Sequence, residues 1–477
     1  MVRPERRRTS DLVAVALLLV AAVAAGTLVW LRSDARATVS EPAPRPLTAE
    51  EPADHVPAEL HEAWRAPSAA TPVPVIAGPA AVSAEGNEVV GHDPVTGQPR
   101  WRYARDLPLC TVGSEWGRAL AVYRKQQNCS EVSSLQGRTG VRGPARNSDA
   151  EFGTRLLSDG TYVTATGHRV LNTWRSDLVR TQQYGIMPAL KNPDNNLQRP
   201  HCSYGSTAVG NGRIAVIETC PQEPSKRLTV LKAHPDDNEK PEQVFSTLVG
   251  GQDALAVAVT SSRTAVFLRD QNRLVVFNNS TGSVQQQYPM SAAGTTAPPD
   301  GIAEVSTDRL WTISLRPDVP QRERTARSLA AALSRFDPRI TEQSLLAGMA
   351  SAAPDRPYKV ISLDDAQYKV VEDRLRGLGG AETSGLLYWS TGNTAVTLDV
   401  ATLAPLWTVP GALGPGALHG GKLLVPVRDG IAVVDRNQGR QERIIPVDRQ
   451  GWQGPVRLDS TGNTLLEQRG PTLVALR

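Results

Sequence analysis

The sequence predicts an all-β chain: a β-propeller of about eight four-stranded blades, with seven to nine admissible. Three observations carry this. A turn-forming motif recurs at intervals that are mostly 35 to 46 residues. Each interval has room for four short strands, the signature of a propeller blade. The ends also match, because the chain stops at the turn of its last unit while an unpartnered strand with Trp64 stands early in the sequence.

The motif is clearest in "GHDPVTGQPRWRY", residues 91 to 103. An apolar run leads into Asp93, Thr96 stands three residues on, Gly97 four on and Trp101 eight on. Related joints stand at Gln136 with Thr139 and Gly140, at Asn278 with Thr281 and Gly282, at Asp399 with Thr402 and Trp407, and at Asp435 with Gly439. Each reads as a type I turn with a glycine bulge between antiparallel strands. The Asp or Asn side chain accepts from nearby backbone N–H groups, and glycine supplies a positive φ. The Trp on the returning strand is large enough to fill the gap between neighbouring sheets. Weaker copies at Asn172, Lys232 and Asp364, with Arg477 at the chain end, bring the count of joints to nine.

In chain order, residues 1–11 form a basic N-terminus with Arg3, Arg6, Arg7 and Arg8. Residues 12–31, "LVAVALLLVAAVAAGTLVWL", carry no charge, and as a helix they reach ~30 Å, the thickness of a bilayer core. Basic residues stay cytoplasmic. This predicts a single-pass signal-anchor in the plasma membrane, with the N-terminus inside and the propeller extracytoplasmic. The alternative is a secretory signal cleaved after "ARA" at 35–37. Residues 32–57, rich in proline and acids, read as a disordered, solvated tether. The propeller takes 58–477, and residues 61 to 66 are expected to close its last blade as an outer strand, with Trp64 opposite the segment holding Leu473 and Leu476.

Four cysteines fall as two similarly spaced pairs, Cys110 with Cys129 and Cys202 with Cys220. On an exported chain this favours two local disulfides over the other connectivities. Residues 317–355 break the β pattern with helical spacing at Leu329, Leu333 and Phe336, then at Ile340, Leu345 and Met349. They read as a helical hairpin on the sixth blade, with Asp337 as N-cap and Pro338 at the first helical position.

The net charge of +4 is too small to imply a nucleic-acid partner, and no basic run occurs beyond the N-terminus, so none is expected. No nucleophile elbow, zinc-helix or phosphate-loop motif occurs. The group His234, Asp236, Asp237 and Glu239 reads as a solvated turn and not as a metal site. The reading therefore assigns no catalytic residue, cofactor or metal.

The repeat resembles that of pyrroloquinoline-quinone-like propellers, "L-x-A-L-D-x-x-T-G-x-x-x-W", most clearly in "VVGHDPVTGQPRW" and "AVTLDVATLAPLW". In build the chain is similar to BamB-type propellers of the bacterial envelope over residues 58 to 477. That resemblance implies a non-catalytic scaffold or interaction protein, meeting an envelope partner through its loops or the hairpin 321–351. It departs in having an apolar helix where a BamB-type lipoprotein has a lipid-modified cysteine. The rival readings are a quinone-dependent enzyme or small-molecule binder using the central funnel, and a membrane-tethered sensor. Against the enzyme, no adjacent cysteine pair and no calcium-type carboxylate cluster occurs.

Overall fold

The computed structural model describes residues 9–33, 36–185, 199–237, 240–291, 298, 300–307, 310–315, 321–351, 358–364, 367, 370–371, 374–375, 378 and 381–477. Its strands form an eight-bladed propeller of antiparallel sheets. The blades are 75–104, 109–150, 156–185, 203–248, 254–289, 304–307 with 386–410, 417–446, and 456–476 joined by Glu62–Pro67. The first strands of successive blades touch one another and so surround the axis.

Both faces of each blade are buried, so alternate residues of one strand feed different cores. In blade 5, Val275 and Phe277 pack with blade 4, while Leu274 and Val276 pack with blade 6. Each of the eight seams holds one such apolar cluster.

The joints have the expected turn geometry. Asp93 Oδ1 accepts from Val95 N at 3.1 Å and Thr96 N at 3.2 Å, and Gly97 N donates to Asp93 O at 2.9 Å with φ +71. Asn278 with Gly282 and Asp435 with Gly439 repeat this, and Leu403 takes the positive-φ place after Asp399. The Thr96, Thr139, Thr281 and Thr402 hydroxyls each accept from the N–H two residues on, at 3.3 Å.

The aromatic residues rest on the glycines of the next blade. A Cβ on Gly97 would lie 2.4 Å from Trp64, on Gly140 2.5 Å from Trp101, on Gly439 2.4 Å from Trp407 and on Gly282 2.9 Å from Phe245. Trp64 and Trp101 also donate, each at 2.8 Å, to the carbonyl one residue past the joint, Pro94 O and Gly137 O. Two seams without tryptophan keep that bond by other means. Arg118 donates to Ser176 O at 3.0 Å, and Thr181 Oγ1 to Ala233 O at 2.7 Å. The third blade's turn therefore begins at Arg175 and not at Asn172, with Leu178 at φ 60 in the glycine place.

Four expectations need correction. The Asp364 copy is no blade joint: Tyr358–Asp364 pairs with Leu310–Leu315 in a separate three-stranded sheet completed by Ala381–Ser384. Nine joints thus reduce to eight blades. The insertion is also larger than a hairpin, because helices Arg322–Leu333 and Glu342–Ser351 pack on that sheet around Leu329, Leu333, Leu345, Met349 and Ile313. Its second helix is capped by Thr341, which exchanges backbone-to-hydroxyl bonds with Ser344, while Asp337 holds a turn further back. The whole module enters and leaves between two paired strands of blade 6, where Thr307 faces Leu387.

The fourth correction concerns the segment read as a free tether. Val39–Glu41 pairs with the outer strand of blade 1 as a fifth strand. Beyond it, Ala43 and Leu47 donate to Thr139 O and Arg138 O, and Leu47 is buried. Glu50 meets Arg477, and Arg443 donates to Val56 O and Pro57 O. The segment is extended, as its prolines require, but it lies along the ring. Its contacts are mostly backbone bonds, which composition does not reveal. It leads to Glu62–Pro67, which pairs with the last strand and places Trp64 opposite Ala475, Ala66 opposite Leu473 and Glu62 opposite Leu476. The apolar helix spans Thr9–Leu31 and has no buried residue.

Cys110–Cys129 and Cys202–Cys220 are disulfides, and both staple the same end of their blade.

Replacing Trp101 by alanine is expected to cost roughly 3–5 kcal/mol in denaturant unfolding, as for a fully buried aromatic; a loss under ~1 kcal/mol would contradict the packing described. A pH effect follows from His92, which stacks on Trp64 and bonds Ser83 Oγ and Gly97 O. Burial holds its imidazole below the usual histidine range, against the pull of the Gly97 carbonyl. The folded ring then binds fewer protons here than the unfolded chain. This contribution is complete above the ordinary value of about 6.5 and is lost as pH falls below it. Melting temperature should drop between about pH 7 and pH 5, and His92→Gln should flatten that drop.

Candidate functional site

Propellers offer their axis as the natural place for a ligand or a reaction, and here the axis is crossed by ion pairs. Arg155 precedes the first strand of blade 3, Leu156–Ser158, and Asp300 precedes the first strand of blade 6, Glu304–Thr307. Arg155 Nη1 donates to Asp300 Oδ2. Arg457, on the first strand of blade 8, donates from Nη2 to Glu304 Oε1. Both bonds join blades that are not neighbours in the ring. The approach is tight beside them, since a Cβ on Gly301 would fall 1.9 Å from Gly205 O of blade 4, and Gly301 has φ +70.

The four groups carry no net charge. Burial pushes the Arg155 guanidinium below its ordinary value, Asp300 and Glu304 pull it up, and Arg457 pushes it down again. Each carboxylate accepts from an arginine, so neither stands as a free base. The Nε atoms of Arg155 and Arg457 are buried without a hydrogen-bond partner.

A second polar cluster lies off the axis. Glu218 is fully buried and accepts from the Tyr184 hydroxyl, from Arg199 Nε at 2.9 Å and from Thr229 Oγ1 at 2.7 Å. Burial and the field of Glu218 push the Tyr184 hydroxyl up, which keeps it a donor. A third, in blade 8, sets Glu467 between Arg449 and Arg469. In both, every carboxylate oxygen is engaged, which suits a structural role.

The residues read from the sequence lie at the blade joints and not on the axis. The structure brings Trp64 to Gly97, Trp101 to Gly140 and Trp407 to Gly439, and pairs the cysteines. His234, Asp236 and Asp237 are exposed, and Glu239 lies outside the described residues. Among the described residues no group of three or more His, Cys, Asp or Glu side chains comes together to hold a metal. The axial residues had no sequence signal, because their partners stand 145 and 153 residues away.

No protein-family model matches the chain, and no curated protein matches it. Similar solved structures exist. BamB from Moraxella catarrhalis aligns with a TM-score of 0.45 at 12% identity, over 88% of this chain and 99% of that one. The dihydro-heme d1 dehydrogenase NirN in complex with DHE aligns at 0.44 and 14% identity, over 91% and 73%. A europium-containing methanol dehydrogenase aligns at 0.44 and 10%, over 86% and 84%. They include BamB, the type of propeller the chain is expected to resemble in build, together with dehydrogenases. The eight-bladed assignment itself rests on the strand pairing described above.

Arg155→Met would strip Asp300 of its partner, at a cost on the order of 1–3 kcal/mol, lowered by the partial exposure of the pair. The double variant Arg155→Met/Asp300→Leu should recover part of that loss. Strictly additive costs in urea unfolding would show that the two groups are uncoupled.

Proposed function

We propose that this chain is a non-catalytic scaffold of a bacterial envelope, held by its N-terminal helix in the plasma membrane and binding protein partners outside the cytoplasm. The observation that carries this reading is the axis crossed by Arg155–Asp300 and Arg457–Glu304, where an enzyme of this architecture would place its substrate. Two surface depressions lie elsewhere. One, of about 270 Å³, is bordered by Leu47, Glu50, Asp93 and Arg100; the other, of about 580 Å³, by Leu60, His61, Asp429 and Asp448. Both sit against the N-terminal segment.

Two further features support the location. All four cysteines are disulfide-bonded, which suits an oxidising compartment. The Thr9–Leu31 helix has the length and apolarity to cross a membrane, and arginines precede it in the sequence. The partner surface is the inserted module of blade 6, which has a core of its own and adds nothing to ring closure.

Crosslinking the protein in native membranes and identifying the adducts tests this reading. Excision of residues 309–384, joining strands already paired at Thr307 and Leu387, should leave the ring folded and remove its adducts. Adducts that survive the excision would take the module out of the proposal. A quinone or metal recovered with the ring at one-to-one stoichiometry would replace it with the enzyme reading.

A further inference from the structure

The connection between helix and ring is much shorter than the sequence suggests. A free tether over residues 32–57 would let the ring roam ~90 Å from the membrane. The structure ends the helix at Leu31 and starts the fifth strand of blade 1 at Val39. Only residues 32–38 lie between, and fully extended they span no more than ~25 Å. They are not fully extended: Arg32 N, Ser33 N and Arg36 N bond back to Leu28 O, Trp30 O and Ser33 O at 3.1–3.2 Å. The outer edge of blade 1 is therefore held close to the end of the helix. In a ring of eight, blade 5 stands opposite blade 1, and the inserted module leaves from blade 6.

The chemistry of that edge matches a lipid surface. Val39 and Val141 are exposed at 38% and 48%. Arg32, Arg36, Arg45 and Arg142 are exposed, and none of them has a carboxylate partner among the described residues. Among the described acids nearby, Asp93 is engaged by Arg100, and Glu41 and Glu88 share Arg102, while Asp34 lies outside the described residues. Ala43 N bonds Thr139 O, so the segment after the fifth strand runs beside the Val141–Arg142 corner of blade 2. Anionic headgroups attract guanidinium groups that have no carboxylate partner, and small apolar side chains beside them suit the headgroup boundary; Arg36 already lies over the Trp30 ring at the end of the helix.

We infer that the outer rim of blades 1 and 2 is a membrane-apposed surface. The ring stands on it edge-on, with blade 5 and the inserted module at the distal rim. This inference rests on the anchor reading above.

The test uses the full chain reconstituted in vesicles of zwitterionic and anionic phospholipid, with an energy acceptor on the headgroups. A donor dye is placed on Arg142→Cys at the near rim or Val284→Cys on the outer strand of blade 5. Transfer from position 142 is expected to be several-fold greater than from position 284. Equal transfer, or the reverse order, overturns the orientation. Inserting about twenty Gly/Ser residues between Ala37 and Thr38 lengthens the reach by ~70 Å and should bring the two positions towards equality. An undiminished difference overturns the short connection as its cause. Native membranes washed with alkaline carbonate test the anchor separately. A ring released without its helix overturns the anchor reading and the orientation with it, whereas a retained ring with equal transfer overturns the orientation alone.

Discussion

Each blade of this ring is held to the next by a reach onto a turn. The outer strand, or a residue close to it, places a side chain on the next joint, and in four seams that side chain also bonds the carbonyl one residue further along. Trp64 and Trp101 do this with an indole, Arg118 with a guanidinium and Thr181 with a hydroxyl. Where only Phe245 is available, packing on Gly282 remains. The acceptor carbonyl is fixed because the turn is fixed, and the turn depends on the Asx bonds and the positive-φ residue. Within blade 8 the last two strands, Thr472–Leu476 and Glu62–Pro67, come from remote stretches and share no local turn. Arg443 instead donates to Pro57 O, just ahead of the closing strand. A turn formed by two remote stretches of chain thus substitutes for one formed by continuous backbone.

The same requirement explains what could be read from the sequence. The joint residues Asp93, Thr96 and Gly97 act on their own local backbone, so their spacing is conspicuous. The tryptophans follow at a fixed distance because the returning strand has a fixed rise. The disulfides were legible for a similar local reason, whereas the closing strand was legible because a tryptophan-bearing strand stood unpartnered ahead of the first blade. The Asp364 copy misled, since an apolar run before an aspartate ends a strand in any antiparallel sheet, and here that sheet belongs to the insertion. The third blade's turn was misplaced because Leu178 occupies the position where glycine was sought. The axial ion pairs were illegible, as nothing local distinguishes Arg155 or Glu304 from any surface charge.

Residues 36–61 show a different limit. Composition measures what a segment can bury by itself, and this one buries a single leucine fully before Leu60. Its attachment comes from pairing with a strand edge and from backbone groups meeting backbone groups. Proline and acid content correctly signalled extended chain. They could not signal that an edge of the ring was waiting for it. The blade that receives this strand gains a covered edge, which removes one site for unwanted pairing with other chains.

The closing strand also sets a timetable for synthesis. Glu62–Pro67 is made early, yet its partner, Thr472–Leu476, follows about 400 residues later. At ordinary translation speeds of ~5–20 residues per second, roughly 400 residues separate the two, an interval of ~20–80 s. Throughout it, blade 1 has no blade 8 beside it, and Trp64 has no strand to pair with. Blades 2 and 4, which carry the two disulfides, both precede the final strand in the chain. The circle is thus sealed only once Thr472–Leu476 has been made, and a product lacking that strand would leave Glu62–Pro67 unpaired.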